Sequence, residues 1–123
     1  MEIPINDLPP VLLDYAVAVA LKRYEGINVI QGSDGPICVV SHERKAKGKA
    51  HSPFWFRPSQ YWGQGGPLIA EFELALDHDN QGGALHGAMA YLLCRLTKLR
   101  SSILIPDDIA RAAGVLPQPD HHG

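Results

Sequence analysis

The sequence predicts a single α+β domain over residues 1–123, in which a small antiparallel sheet is packed by an N-terminal helix and a long helix in the C-terminal half. Two segments carry apolar residues at the three- and four-residue spacing of amphipathic helices. Between and after them, short apolar runs are separated by glycine, proline and aspartate, which is typical of strands joined by turns. The chain has the commonest domain size and no linker long enough to separate two domains.

The first helix is predicted over residues 11–25. Its apolar residues recur at helical spacing: Leu13, Val17, Ala20, Leu21 and Tyr24. Gly26 follows at the position where a left-handed residue commonly ends a helix, because glycine has no Cβ to clash there. Residues 1–9, which precede the second of two adjacent prolines, are predicted to be a loose N-terminus.

A β-hairpin is predicted next, because the turn-forming residues GSDG at positions 32–35 separate two β-branched runs. The apolar pattern then breaks, and residues 43–52 are predicted to be a mobile basic loop. Arginine and lysine dominate its residues 44–49, and nothing in the loop could anchor a core. The chain is expected to return to the sheet near the Phe-Trp-Phe run at 54–56.

The segment YWGQGGPLIAEF, residues 61–72, contains two adjacent glycines followed by a proline. Ordering two glycines is costly, because glycine loses more backbone freedom on folding than any other residue. Proline is favoured at the first position of a helix, where its missing N–H group costs nothing. We therefore predict that a short helix begins at Pro67, and that Gly65 and Gly66 shape the turn that enters it.

The strongest helix pattern covers residues 84–99. Its apolar stripe consists of Leu85, Ala88, Met89, Leu92, Leu93, Leu96 and Leu99. A short strand and a turn are predicted before it, over residues 75–83. After it, SSILIP predicts a strand that ends at Pro106, and residues 114–123 are predicted to be a flexible tail.

A ligand site is predicted around the glycine turn. Such a turn at a helix N-terminus exposes backbone N–H groups and the positive end of the helix dipole, which bind phosphate or carboxylate. The neighbouring residues add rings for stacking, a cation and side-chain hydrogen bonds. The predicted ligand-binding residues are Arg57, Ser59, Tyr61, Trp62, Gln64, Gly65 and Gly66. The structural alternative is that the aromatics edge the core and the glycines form only a tight corner.

Two other interaction surfaces stay open. The Phe-Trp-Phe run at 54–56 lies beside basic residues, a composition that is enriched at protein interfaces. The lysine-rich residues 44–49 could neutralise the phosphates of RNA or DNA while Phe54 and Trp55 stack on bases. The net charge of −2 gives the chain no overall attraction to nucleic acid, so such a partner is not expected.

The sequence assigns no catalytic residue, no metal ligand and no cofactor. The histidines near residues 78–86 lack the spacing that would place two ligands on one face. Cys38 and Cys94 lie in apolar runs and are predicted to be buried free thiols in a reducing compartment. No serine occupies the nucleophile elbow of a hydrolase.

The sequence also predicts a cytoplasmic protein without a membrane partner. The N-terminal residues lack the basic and apolar regions of a signal peptide. No run approaches the roughly 18 apolar residues that a membrane-spanning helix needs.

Three segments carry a resemblance to a known family: LLDYAVAVA (12–20), FRPSQYWGQGGPLI (56–69) and ALHGAMAYLLCRLTKL (84–99), the last followed by ILIPDDI (103–109). Together they resemble the NinX-like proteins of tailed bacteriophages, small proteins of unknown function. The matching positions are Leu13, Asp14, Tyr15, Val17, Ala18, Ser59, Trp62, Gly65, Gly66, Pro67, Ile69 and Pro106. Residues 27–55 show little match to that family.

The resemblance implies an accessory protein of a phage or prophage, located in the cytoplasm of the infected bacterial host. It brings no established activity, so no catalytic residue is carried over. Phage accessory proteins of this size commonly occupy a host defence protein or sequester a signal molecule, and several sequestering proteins are small α+β homo-oligomers. We therefore expect a non-catalytic, homo-oligomeric binder of a nucleotide-derived immune signal, such as a cyclic nucleotide or an ADP-ribose derivative. The alternative is an inhibitor that binds a host protein.

Overall fold

The fold combines helices with short antiparallel strands. The structure is a computed structural model that describes residues 1–42, 53–75 and 83–117. The predicted α+β class is confirmed. One two-stranded sheet pairs β1 with β5, and one three-stranded sheet has the order β2-β3-β4. The elements are β1 (Glu2–Pro4), a 3-10 helix (Ile5–Asp7), α1 (Pro10–Leu21), β2 (Tyr24–Gly32), β3 (Gly35–His42), β4 (Phe54–Trp55), α2 (Trp62–Phe72), α3 (Ala84–Leu96), β5 (Ser102–Leu104) and α4 (Asp107–Ala112).

Helix α1 is the centre of the core. It contacts α3 and also β2 and β3, so apolar residues are needed around most of its circumference. Its fully buried apolar residues are Leu12, Leu13, Val17 and Ala18. The one buried charged residue of the helix is Asp14, which reaches the candidate site described below.

The predicted end of the first helix is wrong. Helix α1 ends at Leu21, and Lys22 takes the left-handed conformation with φ of 57° that was expected at Gly26. Gly26 lies instead in β2, at a register irregularity opposite Ser41. A Cβ atom there would lie 2.7 Å from the Ser41 hydroxyl, so the glycine permits close strand approach rather than a helix cap.

The predicted hairpin is confirmed. Gly32 pairs with Gly35 across a two-residue turn, and Gly35 has a φ of 126°, which glycine adopts without a Cβ clash. The chain returns to the sheet as expected, because β4 pairs with β3 through Val39–Trp55 and Val40–Phe54. The predicted basic loop at 43–52 lies outside the described residues.

The N-terminal residues are not loose. Strand β1 pairs with β5, and the buried side chains of Ile3, Ile5 and Leu8 join the core. The ammonium group of Met1 donates a hydrogen bond to the Ile105 carbonyl at 2.9 Å. The predicted strand before Pro106 is confirmed as β5, whereas its partner strand gave no signal in the sequence.

The last helices differ from the prediction at their ends. Helix α3 stops at Leu96 rather than at 99, and Lys98 and Leu99 both have positive φ. Helix α4 was not predicted, and Val115 and Leu116 after it pack against the core. The prediction of a flexible tail is therefore wrong for residues 114–116. Residues 118–123 lie outside the described part, as does most of the predicted strand and turn at 75–83.

Candidate functional site

The predicted glycine turn is wrong, because both glycines and the proline lie inside helix α2. The helix begins at Trp62, five residues before Pro67. The Tyr61 carbonyl accepts hydrogen bonds from the N–H groups of Gln64 and Gly65, at 3.0 and 2.9 Å. The Gly65 amide is therefore engaged in the helix and does not point at an anion.

The two glycines serve different purposes. A Cβ atom on Gly65 would lie 2.4 Å from the Pro58 carbonyl oxygen and 2.6 Å from a methyl group of Leu85. Glycine at this position lets α2 approach both the preceding loop and α3. At Gly66, by contrast, a Cβ atom would have no described neighbour within 4 Å, and the backbone φ is not positive.

An ion pair also fixes helix α2 to the end of α1. Arg23 and Glu71 form a two-point interaction, with Nη1 of Arg23 2.9 Å from Oε1 of Glu71. Arg23 lowers the pKa of the Glu71 carboxyl through this hydrogen bond and its charge. The Arg23 guanidinium also lies over the Phe72 ring, 5.6 Å from its centroid.

The segment from β4 to the first residue of α2 carries three exposed rings and an arginine, which we call the aromatic–arginine surface: Trp55, Arg57, Tyr61 and Trp62. The three rings are 41%, 48% and 55% exposed in the order Trp55, Tyr61 and Trp62. The guanidinium carbon of Arg57 lies 4.0 Å from the Trp55 ring centroid and 4.9 Å from that of Tyr61. The cation is thus held between two π faces, which attract it electrostatically.

Gln64 is hydrogen-bonded to the backbone of two residues of this surface. Its Oε1 accepts a hydrogen bond from the Arg57 backbone N–H at 2.5 Å, and its Nε2 donates to the Trp55 carbonyl at 2.7 Å. Both ends of the side-chain amide therefore bind backbone. Gln64 was predicted to contact a ligand, and the structure gives it the role of positioning two residues that can.

Ser59 turns away from the surface and into the core. Its backbone N–H donates to Oδ1 of Asp14 at 2.9 Å, and its hydroxyl donates to Oδ2 at 3.0 Å. The pair joins α1 to the loop before α2 and buries both side chains. Ser59 is therefore unavailable to a ligand on the aromatic–arginine surface, contrary to the prediction that placed it there.

Asp14 is a candidate functional residue that was not predicted from the sequence. Its side chain is 1% exposed, and burial raises its pKa from 3.8 to about 7, against the opposing effect of hydrogen bonds from Ser59 and Gln60. An ionisable group inside the otherwise apolar run LLDYAVAVA was the available signal. A perturbed carboxyl group beside a cavity is a common property of functional sites.

That cavity has a volume of about 430 Å³ and lies beneath Trp55. Besides Asp14, its wall contains the buried thiol of Cys38, whose pKa is raised to about 12 by burial and by the charge of Asp14. The thiol therefore stays protonated at neutral pH and is a poor nucleophile. Cys38 is buried as predicted, whereas Cys94 is only half-buried.

No three His, Cys, Asp or Glu side chains converge on a metal-sized site within residues 1–42, 53–75 and 83–117. Over the same residues, no helix is long and apolar enough to cross a membrane.

In comparisons with known proteins, no protein-family model and no curated protein matches the chain. The resemblance to NinX-like phage proteins therefore stays a prediction. Two of the segments that carry the resemblance are in contact, because Ser59 is hydrogen-bonded to Asp14.

Proposed function

We propose that the protein binds a nucleotide-derived molecule, such as a cyclic nucleotide or an ADP-ribose derivative, and sequesters it without converting it. The observation that carries this proposal is the aromatic–arginine surface. Stacking of a base on an aromatic side chain contributes about 1–3 kcal/mol. An arginine guanidinium offers paired donors that match a phosphate group. Residues for both kinds of contact lie within the segment 55–62.

In this proposal the rings of Trp62 and Tyr61 stack on the base, and Arg57 binds phosphate. Trp62 is the most exposed of the three rings, which leaves most of its area to a ligand. The Arg57 guanidinium is preorganised by its contacts with Trp55 and Tyr61, so less side-chain entropy is lost on binding. The amides of Gly65 and Gly66, which the sequence suggested as phosphate ligands, have no part in this arrangement.

The biological setting of the proposal comes from the resemblance alone. It makes the protein a phage-encoded accessory protein and a homo-oligomer in the cytoplasm of the infected host, where removal of a signal would weaken a defence response. The high pKa of the Cys38 thiol supports binding over covalent catalysis, because that group is not ionised at neutral pH.

Calorimetric titration with cyclic nucleotides and ADP-ribose derivatives tests the proposal. Trp62→Ala should weaken the binding of the ligand that is found by at least about tenfold, because it removes a stacking surface. Tyr91→Ala is the matched control, since Tyr91 is 57% exposed and also lies near an arginine, with Arg95 6.0 Å from its ring centroid, but on α3.

The control variant should bind like the wild type, and the ligand should be recovered chemically unchanged by chromatography. Absence of heat for the whole panel at about 100 μM protein would overturn the proposal, because sequestration needs affinities well below the millimolar range. A ligand recovered in altered form would make the protein an enzyme instead.

A second candidate function is inhibition of a host protein. Trp, Tyr and Arg dominate the energetically important positions of protein interfaces, and the same surface contains all three. Of the Phe-Trp-Phe run that suggested this function, only Trp55 is exposed, since Phe54 is half-buried and Phe56 is buried. Trp55 and Tyr61 share Arg57, so the two functions would use one surface.

Affinity capture from bacterial lysate separates these two functions. A stoichiometric protein partner that is lost with Trp55→Ala, and that small nucleotides do not displace, would favour the inhibitor. The remaining alternative, a nucleic-acid partner, depended on residues 44–49, which lie outside the described residues.

A further inference from the structure

The cavity beneath Trp55 shares that ring with the aromatic–arginine surface, but its other lining residues are different. It lies between the first turns of α1, the β2–β3 turn and the segment that follows β4. Its volume of about 430 Å³ is within the range of roughly 300–1,000 Å³ that small-molecule sites occupy. Apolar walls that include Val11, Ile37 and Phe56 surround a few polar groups, which is the usual construction of a ligand pocket.

The polar groups in the cavity wall favour a ligand that donates hydrogen bonds. Two carboxylates, Asp14 and Asp34, line it, and none of the described lining residues is a lysine, arginine or histidine. A phosphate group would meet like charge there. A group with N–H donors, neutral or cationic, would meet acceptors.

Asp14 retains the capacity to accept such donors. An ionised carboxylate offers about four lone-pair positions. Ser59 uses one on each oxygen, at 2.9 and 3.0 Å. The side chain of Gln60, an exposed residue in the cavity wall, donates to the same carboxylate. Its amide therefore occupies the place that a ligand donor would take.

The wall also contains two aromatic rings, Trp55 and Phe56, on which a planar ligand could pack. A planar group that presents two adjacent N–H donors could bind both oxygens of Asp14 while its faces contact these rings. Guanine has such an edge, formed by N1–H and the 2-amino group, and so do amidines. Adenine has one donor beside an acceptor on the corresponding edge, and the acceptor would face the carboxylate.

We propose that this cavity is a second ligand site, in which Asp14 accepts two hydrogen bonds from the amidine-type edge of a planar ligand. The site shares Trp55 with the aromatic–arginine surface, whereas Arg57, Tyr61 and Trp62 take no part in it.

Fluorescence of Trp55 provides a readout in the Trp62→Ala variant, where Trp55 is the only tryptophan and the aromatic–arginine surface has lost the ring proposed to stack on bases. Titrations at pH 8.5, above the raised pKa of Asp14, use guanosine, adenosine, benzamidine and benzamide. Guanosine should bind at least about tenfold more tightly than adenosine, and benzamidine at least about tenfold more tightly than benzamide, which replaces one donor by an acceptor. Whichever of guanosine and benzamidine binds more tightly identifies the source of the edge, nucleobase or organic cation.

Asp14→Asn should remove both preferences, because its amide presents a donor of its own to the ligand. If that variant does not fold, the guanosine–adenosine comparison on the folded chain still decides, because both of these ligands are neutral. Equal affinities within each ligand pair, no binding up to millimolar concentration, or preferences that survive Asp14→Asn in a folded variant would each overturn the proposal. Loss of nucleotide binding with Trp62→Ala, with the cavity preferences unchanged, would leave this proposal standing.

Discussion

Segment 55–66 contains residues that face the core and residues that face solvent, often within a few positions of each other. The two groups differ in how tightly the surrounding structure constrains them. Inward, Ser59 is hydrogen-bonded to the buried Asp14, and Gly65 packs where no side chain fits. Outward, the ring of Trp62 is more than half exposed. The inward residues determine where the helix lies, whereas the outward ones contribute little to stability and are available for binding. Substitutions inside and outside should therefore have separable effects.

The largest effect expected on the inward side is a loss of stability with rising pH, caused by Asp14. Its pKa is about 7 in the folded protein and near 3.8 when unfolded, so between these values the folded state binds a proton that the unfolded state has lost. Folding then takes up a proton, and stability falls as pH rises. From pH 5 to pH 8 the contribution of Asp14 should decrease by about 3 kcal/mol.

Asp14→Asn isolates this contribution, because asparagine keeps the size and an acceptor for the Ser59 N–H but does not titrate. Denaturant unfolding of both proteins at several pH values measures it. The free energy of unfolding of the wild type, relative to the variant, should drop across that pH range. If this difference in the free energy of unfolding stayed constant or increased with pH, the carboxyl group would be solvated, and the core-facing residues would not include a buried acid.

Gly65→Ala should produce the next largest effect on the inward side. Its methyl group would approach the Pro58 carbonyl to 2.4 Å, and backbone cannot move aside as a flexible side chain can. Overpacking of this kind costs about 1–3 kcal/mol, partly offset by the higher helix propensity of alanine. Thermal unfolding should show a melting temperature lower by roughly 3–8 °C. An unchanged melting temperature would show that α2 can shift away from the loop.

Gly66→Ala should have the smallest effect on stability, and its sign should be opposite to that of Gly65→Ala. Apart from its chain neighbours and the backbone of its own helix, a Cβ atom there would have no described neighbour within 4 Å, so the gain in helix propensity is opposed only by contact with the ring of Pro67. Alanine should stabilise the helix by about 0.5–1 kcal/mol. The same thermal measurement should show a small increase in melting temperature. A decrease in melting temperature would indicate that the backbone conformation requires glycine at both positions.

Local patterns in the sequence determined the parts of the fold that local physics controls. The hairpin followed from the turn residues 32–35, because two glycines that flank a short polar loop favour one geometry. Helices α1 and α3 followed from apolar spacing, and β5 from an apolar run before Pro106. Their ends were less accurate, since capping by Lys22 in a left-handed conformation leaves no signature in residue type.

Contacts between distant segments decided the rest. Strand β1 exists because β5 pairs with it, and that pairing spans about 100 residues of chain. The sequence correctly marked the Gly65–Gly66 stretch as unusual, but proline preference placed the helix start at Pro67 rather than at Trp62. Only the packed structure shows that Gly65 is required by the carbonyl of Pro58.

For the candidate site, the sequence by itself determined which residue types are present: three aromatic rings, one arginine and one acid within an apolar helix. The tertiary structure decided which of them face solvent. It placed Arg57 between two rings, turned Ser59 onto Asp14 and opened a cavity beside that carboxyl group. Side-chain direction in an irregular loop depends on what packs against the loop, and no short sequence pattern encodes that neighbour.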